Sequence, residues 1–151
     1  PRTDRKLLIA GHLLRQSMMG SDLSYEDMME DRKLSASYQA KEEKREIFNG
    51  VESLVLFLEA NDKTITYQTR RAWTDSDKKI IFREERYAKS GRLLKRVDFL
   101  NYRRIKSRMF PMRMVFRDML KKNTKTTYVF DVIEFDIGVP AKYFRQSILK
   151  R

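Results

Sequence analysis

Between Leu93 and Phe135, apolar and polar residues alternate at period two in three consecutive segments separated by short polar turns. Val97 and Phe99 alternate with Arg96 and Asp98. Phe110, Met112, Met114 and Phe116 alternate with Pro111, Arg113 and Arg117, and Tyr128, Phe130 and Val132 recur at the same spacing. Successive side chains on a strand point to opposite sides, so this pattern predicts strands with one face buried. A two-residue turn at Lys106-Ser107 sets Val97 opposite Phe116 and Phe99 opposite Met114. A preceding turn at Ser90-Gly91 brings Phe82 opposite Phe99, and a three-residue connection at Lys122-Asn123-Thr124 sets Phe130 and Val132 beside Phe116 and Met114. A slip of one residue flips a strand to the other face. Agreement across several hairpins therefore predicts an antiparallel meander with a continuous Phe/Met/Val face.

Further strands are predicted upstream. Ser37–Phe48 is long and polar, Asn49-Gly50 is a strong hairpin turn, and Val51–Glu59 is apolar on both faces and reads as a central strand. Thr64–Thr74 and Lys79–Lys89 follow. Ser24, with Asp27 three residues on, opens a short helix near 24–31. Pro140 suits the first turn of a closing helix near 140–149. Residues 5–16 fit either a short helix or a strand. The fold class is mainly β, a single domain over 1–151. Its sheet of about seven strands is too wide to stay flat and curls around one apolar face.

Charge sharpens this picture. Residues 1–50 balance 9 Lys/Arg against 9 Asp/Glu, whereas residues 86–125 hold 14 Lys/Arg against only Asp98 and Asp118. That surplus equals the formal net charge of +12 for the whole chain. It marks the central hairpins, with Arg103, Arg104, Lys106 and Arg108 at one tip, as a surface for anions: phospholipid head groups, nucleic acid or an acidic protein. The same residues equally describe a solvated sheet face whose charges blunt strand edges.

Catalytic parts are scarce. The chain has no Cys and a single histidine, His12, so thiol chemistry and thiolate or His-cluster metal sites are excluded, and a lone histidine beside leucines is read as structural rather than as part of a triad. Its five glycines are scattered and form no phosphate loop. The pairs Glu42-Glu43 and Glu84-Glu85 are neighbours on strands and point to opposite faces, which makes poor acid/base dyads. No enzyme activity and no cofactor are expected. No apolar run approaches the roughly 18 residues needed to span a bilayer. The Met-rich strip suits flexible apolar partners such as acyl chains, and equally suits a filled core. Nucleic acid is not the expected partner, because the aromatic residues alternate away from the arginines and would be buried, whereas base-stacking platforms are exposed.

The segment Met19-Gly20-Ser21-Asp22-Leu23-Ser24-Tyr25-Glu26-Asp27-Met28 resembles the signature of the outer-membrane lipoprotein-sorting protein family, relatives of the LolA and LolB carriers. Tyr67 with Arg71-Ala72-Trp73-Thr74-Asp75, Glu85-Arg86-Tyr87 with Gly91-Arg92-Leu93-Leu94-Lys95, and Ile137-Gly138-Val139-Pro140 with Phe144 resemble its later motifs in the same order. The resemblance implies an unclosed half-barrel with a helical lid around an apolar groove, a periplasmic setting and an exported precursor. It also implies a chain corresponding to the C-terminal portion of such proteins, without their N-terminal strands.

On that reading the protein is a non-enzymatic carrier or chaperone for lipoprotein or lipid. Acyl chains would lie against Phe82, Val97, Phe99, Met112, Met114, Phe116, Phe130 and Val132. Ser21, Asp22, Tyr25, Asp27 and Phe144 would form the lid and mouth, and Arg103, Arg104, Lys106 and Arg108 would dock on membrane or partner. A transporter of the resistance-nodulation-division type is an expected partner, and an exposed sheet edge would allow a homo-oligomer. A basic nucleic-acid-binding module and a cargo-free accessory domain of a transporter complex are the alternative readings.

Overall fold

The computed structural model describes residues 11–29, 34–75 and 77–145. Two short 3-10 turns, Gly11–Arg15 and Met18–Gly20, lead into the helices α1 (Tyr25–Met29) and α2 (Leu34–Ser37). Seven strands follow: β1 (Tyr38–Phe48), β2 (Val51–Ala60), β3 (Thr69–Asp75), β4 (Ile80–Tyr87), β5 (Leu93–Ile105), β6 (Arg108–Asp118) and β7 (Thr126–Val129). Each pairs antiparallel with the next in the order β1 to β7, and the sheet does not close. It is an unclosed half-barrel, mainly β, with few and short helices. A closing 3-10 turn, Ala141–Phe144, stands where a helix near 140–149 is expected; residues 146–149 of that span, like residues 1–10 and 30–31, lie outside the described residues.

Local chemistry explains the main registers. Asn49 and Gly50 both hold positive φ, 51° and 79°, as a two-residue turn matched to strand twist requires. Lys106 does the same at φ 53°, and the β5–β6 hairpin pairs Val97 with Phe116 and Phe99 with Met114, as the alternation predicts. One face, the inner one, then carries Leu58, Arg70, Ala72, Glu84, Arg86, Val97, Met114 and Phe116. The other carries Val55, Arg71, Trp73, Glu85, Arg96 and Val115.

Four expectations are corrected. First, Arg83 pairs with Trp73 but Ile81 with Thr74, which leaves Phe82 as the extra residue of a bulge. Its ring stacks on Phe48, 6.1 Å away, and Phe48 also packs on Trp73 and under Arg83. Phe82 therefore belongs to the outer face and not beside Phe99. Second, β6 and β7 are joined by residues 119–125 rather than by three residues, so Phe116 faces Thr126 and Met114 faces Tyr128. Phe130 keeps its face but lies by Met112, donating its backbone N–H to Met112 O at 2.9 Å, and Val132 lies past the strand, 78 % exposed. Third, β2 is next to the edge rather than central; its Val55 and Leu58 are nevertheless buried on opposite faces. Fourth, β3 starts at Thr69, because residues 61–68 form a loop pinned by Asp62, whose Oδ1 accepts the Thr64 N–H and whose carbonyl accepts Gln68 Nε2.

Candidate functional site

The inner face has two halves of opposite character. Around β1–β4 it is a small core in which Tyr38, Leu58 and Ala72 pack with Leu34, Leu56, Ala60, Ile65 and Ile81. This core borders a buried ion network. Arg70, 2 % exposed, donates to Glu84 Oε1 at 2.8 Å and lies over the Tyr38 ring at 4.5 Å. Arg86 donates to the same Glu84 oxygen at 2.7 Å and to Asp27 Oδ1 at 2.8 Å. Tyr67 Oη also donates to Asp27 Oδ1, at 2.7 Å. Two arginines and two carboxylates thus alternate under two tyrosines, which pairs charges that would be costly to bury alone. Burial works to raise the Glu84 pKa, but Arg86 and then Arg70 bring it below the ordinary glutamate value. The same contest holds Asp27 low, with Arg86 and the Ser24 and Tyr67 hydrogen bonds outweighing burial. Burial, followed by the Asp27 charge, drives the Tyr67 phenol upward and keeps it a neutral donor.

The N-terminal segment closes one end of this face as a clasp. Gly20 holds φ 77°, turning the chain so that Asp22 reaches the β6–β7 connection. Asp22 Oδ1 accepts from Thr124 Oγ1 at 2.6 Å and from the Asp118 N–H at 3.2 Å, while Oδ2 accepts from Thr126 Oγ1 at 3.1 Å. Lys95 Nζ donates to Asp22 O at 2.6 Å and to Asp118 Oδ2 at 2.9 Å. Lys121 Nζ reaches Ser17 Oγ and Ser21 O. Ser24 and Asp27 cap α1 reciprocally: the Asp27 N–H donates to Ser24 Oγ, and Asp27 Oδ2 accepts the Ser24 N–H. Glu26 Oε1 accepts from Thr66 Oγ1 at 2.6 Å. Leu23, 1 % exposed, is the buried apolar side chain of the clasp among the described residues, and the hydrogen bonds above join the clasp to the sheet.

The other half of the inner face is apolar. From the clasp outward along the strands come Val97 and Phe116, then Phe99, Met114 and Tyr128, then Met112 and Phe130, and finally Phe110 with Phe135. Tyr128 rings against Phe116 and Phe130, and Phe110 against Phe130 and Phe135, at centroid distances of 5.5–6.4 Å. Val97 and Met112 are buried beneath, whereas Phe99, Met114, Phe116, Tyr128 and Phe130 are only half-buried. The strip spans about 20 Å from Phe116 to Phe110, at ~3.3 Å per residue. Met28 Sδ on the clasp accepts from Tyr128 Oη at 3.4 Å, so the clasp touches the near end of the strip.

Of the residues expected at the groove, Val97, Phe99, Met112, Met114, Phe116 and Phe130 are thus brought together; Phe82 and Val132 are not. Ser21, Asp22, Tyr25 and Asp27 share the clasp, whereas Phe144 is 78 % exposed and makes no hydrogen bond or ring contact with that group. Arg103, Arg104, Lys106 and Arg108 gather at the exposed β5–β6 tip. The sequence reading missed Arg70, Glu84 and Arg86. Their signal was charge at inner-face positions, Arg70 two residues from Ala72 on β3 and Glu84 two residues from Arg86 on β4.

Across residues 1–151 the chain matches a family model described as "Uncharacterized protein". The chain belongs to that family. Among curated proteins none matches it. Among solved structures it is similar to a domain from Vibrio parahaemolyticus assigned to outer-membrane lipoprotein sorting, at 26 % identity and a TM-score of 0.78 over 95 % of this chain and 60 % of that one. A DUF1329 family protein from Desulfovibrio piger is 24 % identical with a TM-score of 0.79, over 93 % and 58 % of the two chains. A LolA superfamily protein from Nitrosomonas europaea is 22 % identical with a TM-score of 0.65, over 90 % and 60 %. The chain therefore has the fold of the lipoprotein-sorting and LolA proteins, and spans about three-fifths of the length of each of these relatives.

Proposed function

We propose that this protein is a non-enzymatic periplasmic carrier that holds an acyl chain of a lipoprotein or lipid along the strip from Phe116 to Phe110. The observation that carries this reading is the half-open apolar strip itself, which lies on the face touched by the clasp while the opposite face carries ion pairs such as Arg96–Glu85 and Arg83–Asp98. A filled core would bury Phe99, Met114 and Phe116 as it buries Val97. Each acyl CH₂ laid on the strip contributes about 0.8 kcal/mol, so a long chain is held without a closed cavity. Thioether and aromatic side chains adapt to a flexible chain and fix no head group, which fits a carrier of varied cargo. The fold shared with lipoprotein-sorting proteins supports both the cargo class and the compartment.

Native mass spectrometry of the purified protein, followed by organic extraction, tests the reading. A co-purified lipid or lipopeptide, displaced by a fluorescent fatty acid, is the expected result. Met114→Glu should abolish uptake while leaving the melting curve close to that of the parent, because Met114 is half-buried. A clean mass together with no uptake by the parent protein would reject the carrier.

A further inference from the structure

The strip leads away from the clasp toward the β5–β6 tip, and that end of the molecule has its own chemistry. Arg103, Arg104, Lys106 and Arg108 are exposed there, and a cleft lined by Lys78, Lys79, Arg104 and Arg108, with Asp77 the one carboxylate among its lining residues, separates the tip from the β3–β4 turn. Arg103 and Arg104 form no ion pair among the described residues; Asp136, itself exposed, is 3.9 Å from Arg108, and Asp77 lines the cleft with Arg104 and Arg108. The chain beyond β7 is drawn onto the same tip. Lys106 Nζ donates to Phe135 O at 2.7 Å, and the Arg108 guanidinium lies 5.1 Å from the Phe135 ring centre. Just past this anchor Ile137 and Val139 stand 61 % and 51 % exposed, with Gly138 between them at φ 65°. Exposed aliphatic side chains next in the chain to a cluster of exposed cations fit an interface where apolar groups enter hydrocarbon and cations meet phosphate.

We propose that this tip docks on an anionic phospholipid bilayer, with Ile137 and Val139 entering the headgroup boundary and Arg103, Arg104, Lys106 and Arg108 contacting lipid phosphates. The commitment to lipid rather than protein follows from charge complementarity: the exposed cations of the tip outnumber Asp77 and Asp136, the acids beside them, and the exposed Ile137 and Val139 follow directly on the segment anchored to Lys106 and Arg108. Docking at this end places the open end of the strip on the membrane and leaves the clasp some 30 Å away, about ten residues of β5 from Lys95 to Ile105.

The test is co-sedimentation of the full chain with vesicles of phosphatidylglycerol and phosphatidylcholine, without cargo. Binding to the mixed vesicles, weak binding to pure phosphatidylcholine, and loss with added salt are expected. Each cation near an anionic surface is worth about fivefold in partitioning, so Arg103→Glu with Arg104→Glu should lower binding by more than tenfold. Ile137→Ser with Val139→Ser should weaken the salt-resistant part severalfold, and since both residues are exposed, circular dichroism should show an unchanged fold. Equal binding to both lipids, no binding, or unaltered binding by both double variants would overturn the proposal. So would retention on DNA with no retention on vesicles. Because no cargo is present, these outcomes are independent of the fatty-acid assay for the strip.

Discussion

Glu84 shows how much one carboxylate can organise. It lies between Arg70 and Arg86 on the inner face, and Arg86 passes the connection on to Asp27 of the clasp. Replacing Glu84 by Gln removes the charge shared by two buried guanidiniums and leaves Asp27 as the carboxylate on Arg86. Breaking a buried pair in this way costs about 3–5 kcal/mol, and urea unfolding should show that loss as a lower midpoint. A midpoint within error of the parent would mean that the network contributes nothing net. Asp27, Asp22 and Glu84 all have carboxyl pKa values below their ordinary values when folded. Groups of this sign add stability above the unfolded pKa and lose it as pH falls through the folded one. The clasp should therefore be fully held near neutrality and loosen below about pH 4, near the ordinary values of 3.8 for Asp and 4.5 for Glu. Hydrogen exchange across residues 17–29, measured at pH 6 and pH 3 and corrected for intrinsic rates, should report it. Protection that stays constant would show that these carboxylates do not hold the segment.

At the level of elements, the hairpin turns and the alternation were legible because both are local. Asn49-Gly50 and Lys106-Ser107 fix registers through backbone conformations that few residues adopt. Gly50 tests the point cleanly, since a Cβ added there meets nothing within 4 Å and the only penalty is the positive φ. Gly50→Val should destabilise the protein by about 1–2 kcal/mol, read from the denaturant midpoint at constant slope; an unchanged midpoint would mean that the turn relaxes freely. What the pattern did not show depended on partners far along the chain. Phe82 alternates correctly on β4, yet a bulge opposite β3 turns its ring to Phe48, and no local residue announces a bulge. The β6–β7 connection looked short because Asn123 resembles a turn residue, but Asp22, about a hundred positions earlier, holds Thr124 and Thr126 and lengthens it. The capping box at Ser24 and Asp27 was visible as a helix start; that Asp27 also anchors Arg86 was not, because that contact spans 59 positions.

The whole molecule sets a polar closure at one end of an apolar strip and leaves the other end open toward a cationic tip. That arrangement makes the clasp a barrier for anything sliding along the strip past Tyr128 and Met28, and its polar contacts make it separable from the sheet. Asp22 is the better handle than Asp27, because it sits outside the buried arginine network and its hydrogen bonds among the described residues go to Thr124, Thr126, Lys95 and the Asp118 backbone. Asp22→Ala removes three hydrogen bonds accepted by a carboxylate, of which about 1.5–3 kcal/mol is a reasonable net loss for one charged acceptor. If the clasp must lift for cargo to seat fully, a fluorescent fatty acid should then exchange about tenfold faster or more in stopped-flow, with equilibrium affinity changed much less. Slower exchange, or an affinity loss matching the rate change, would instead make the clasp part of the binding surface. An unchanged rate would place cargo entry wholly at the cationic end, leaving the clasp as a brace for the β6–β7 turn.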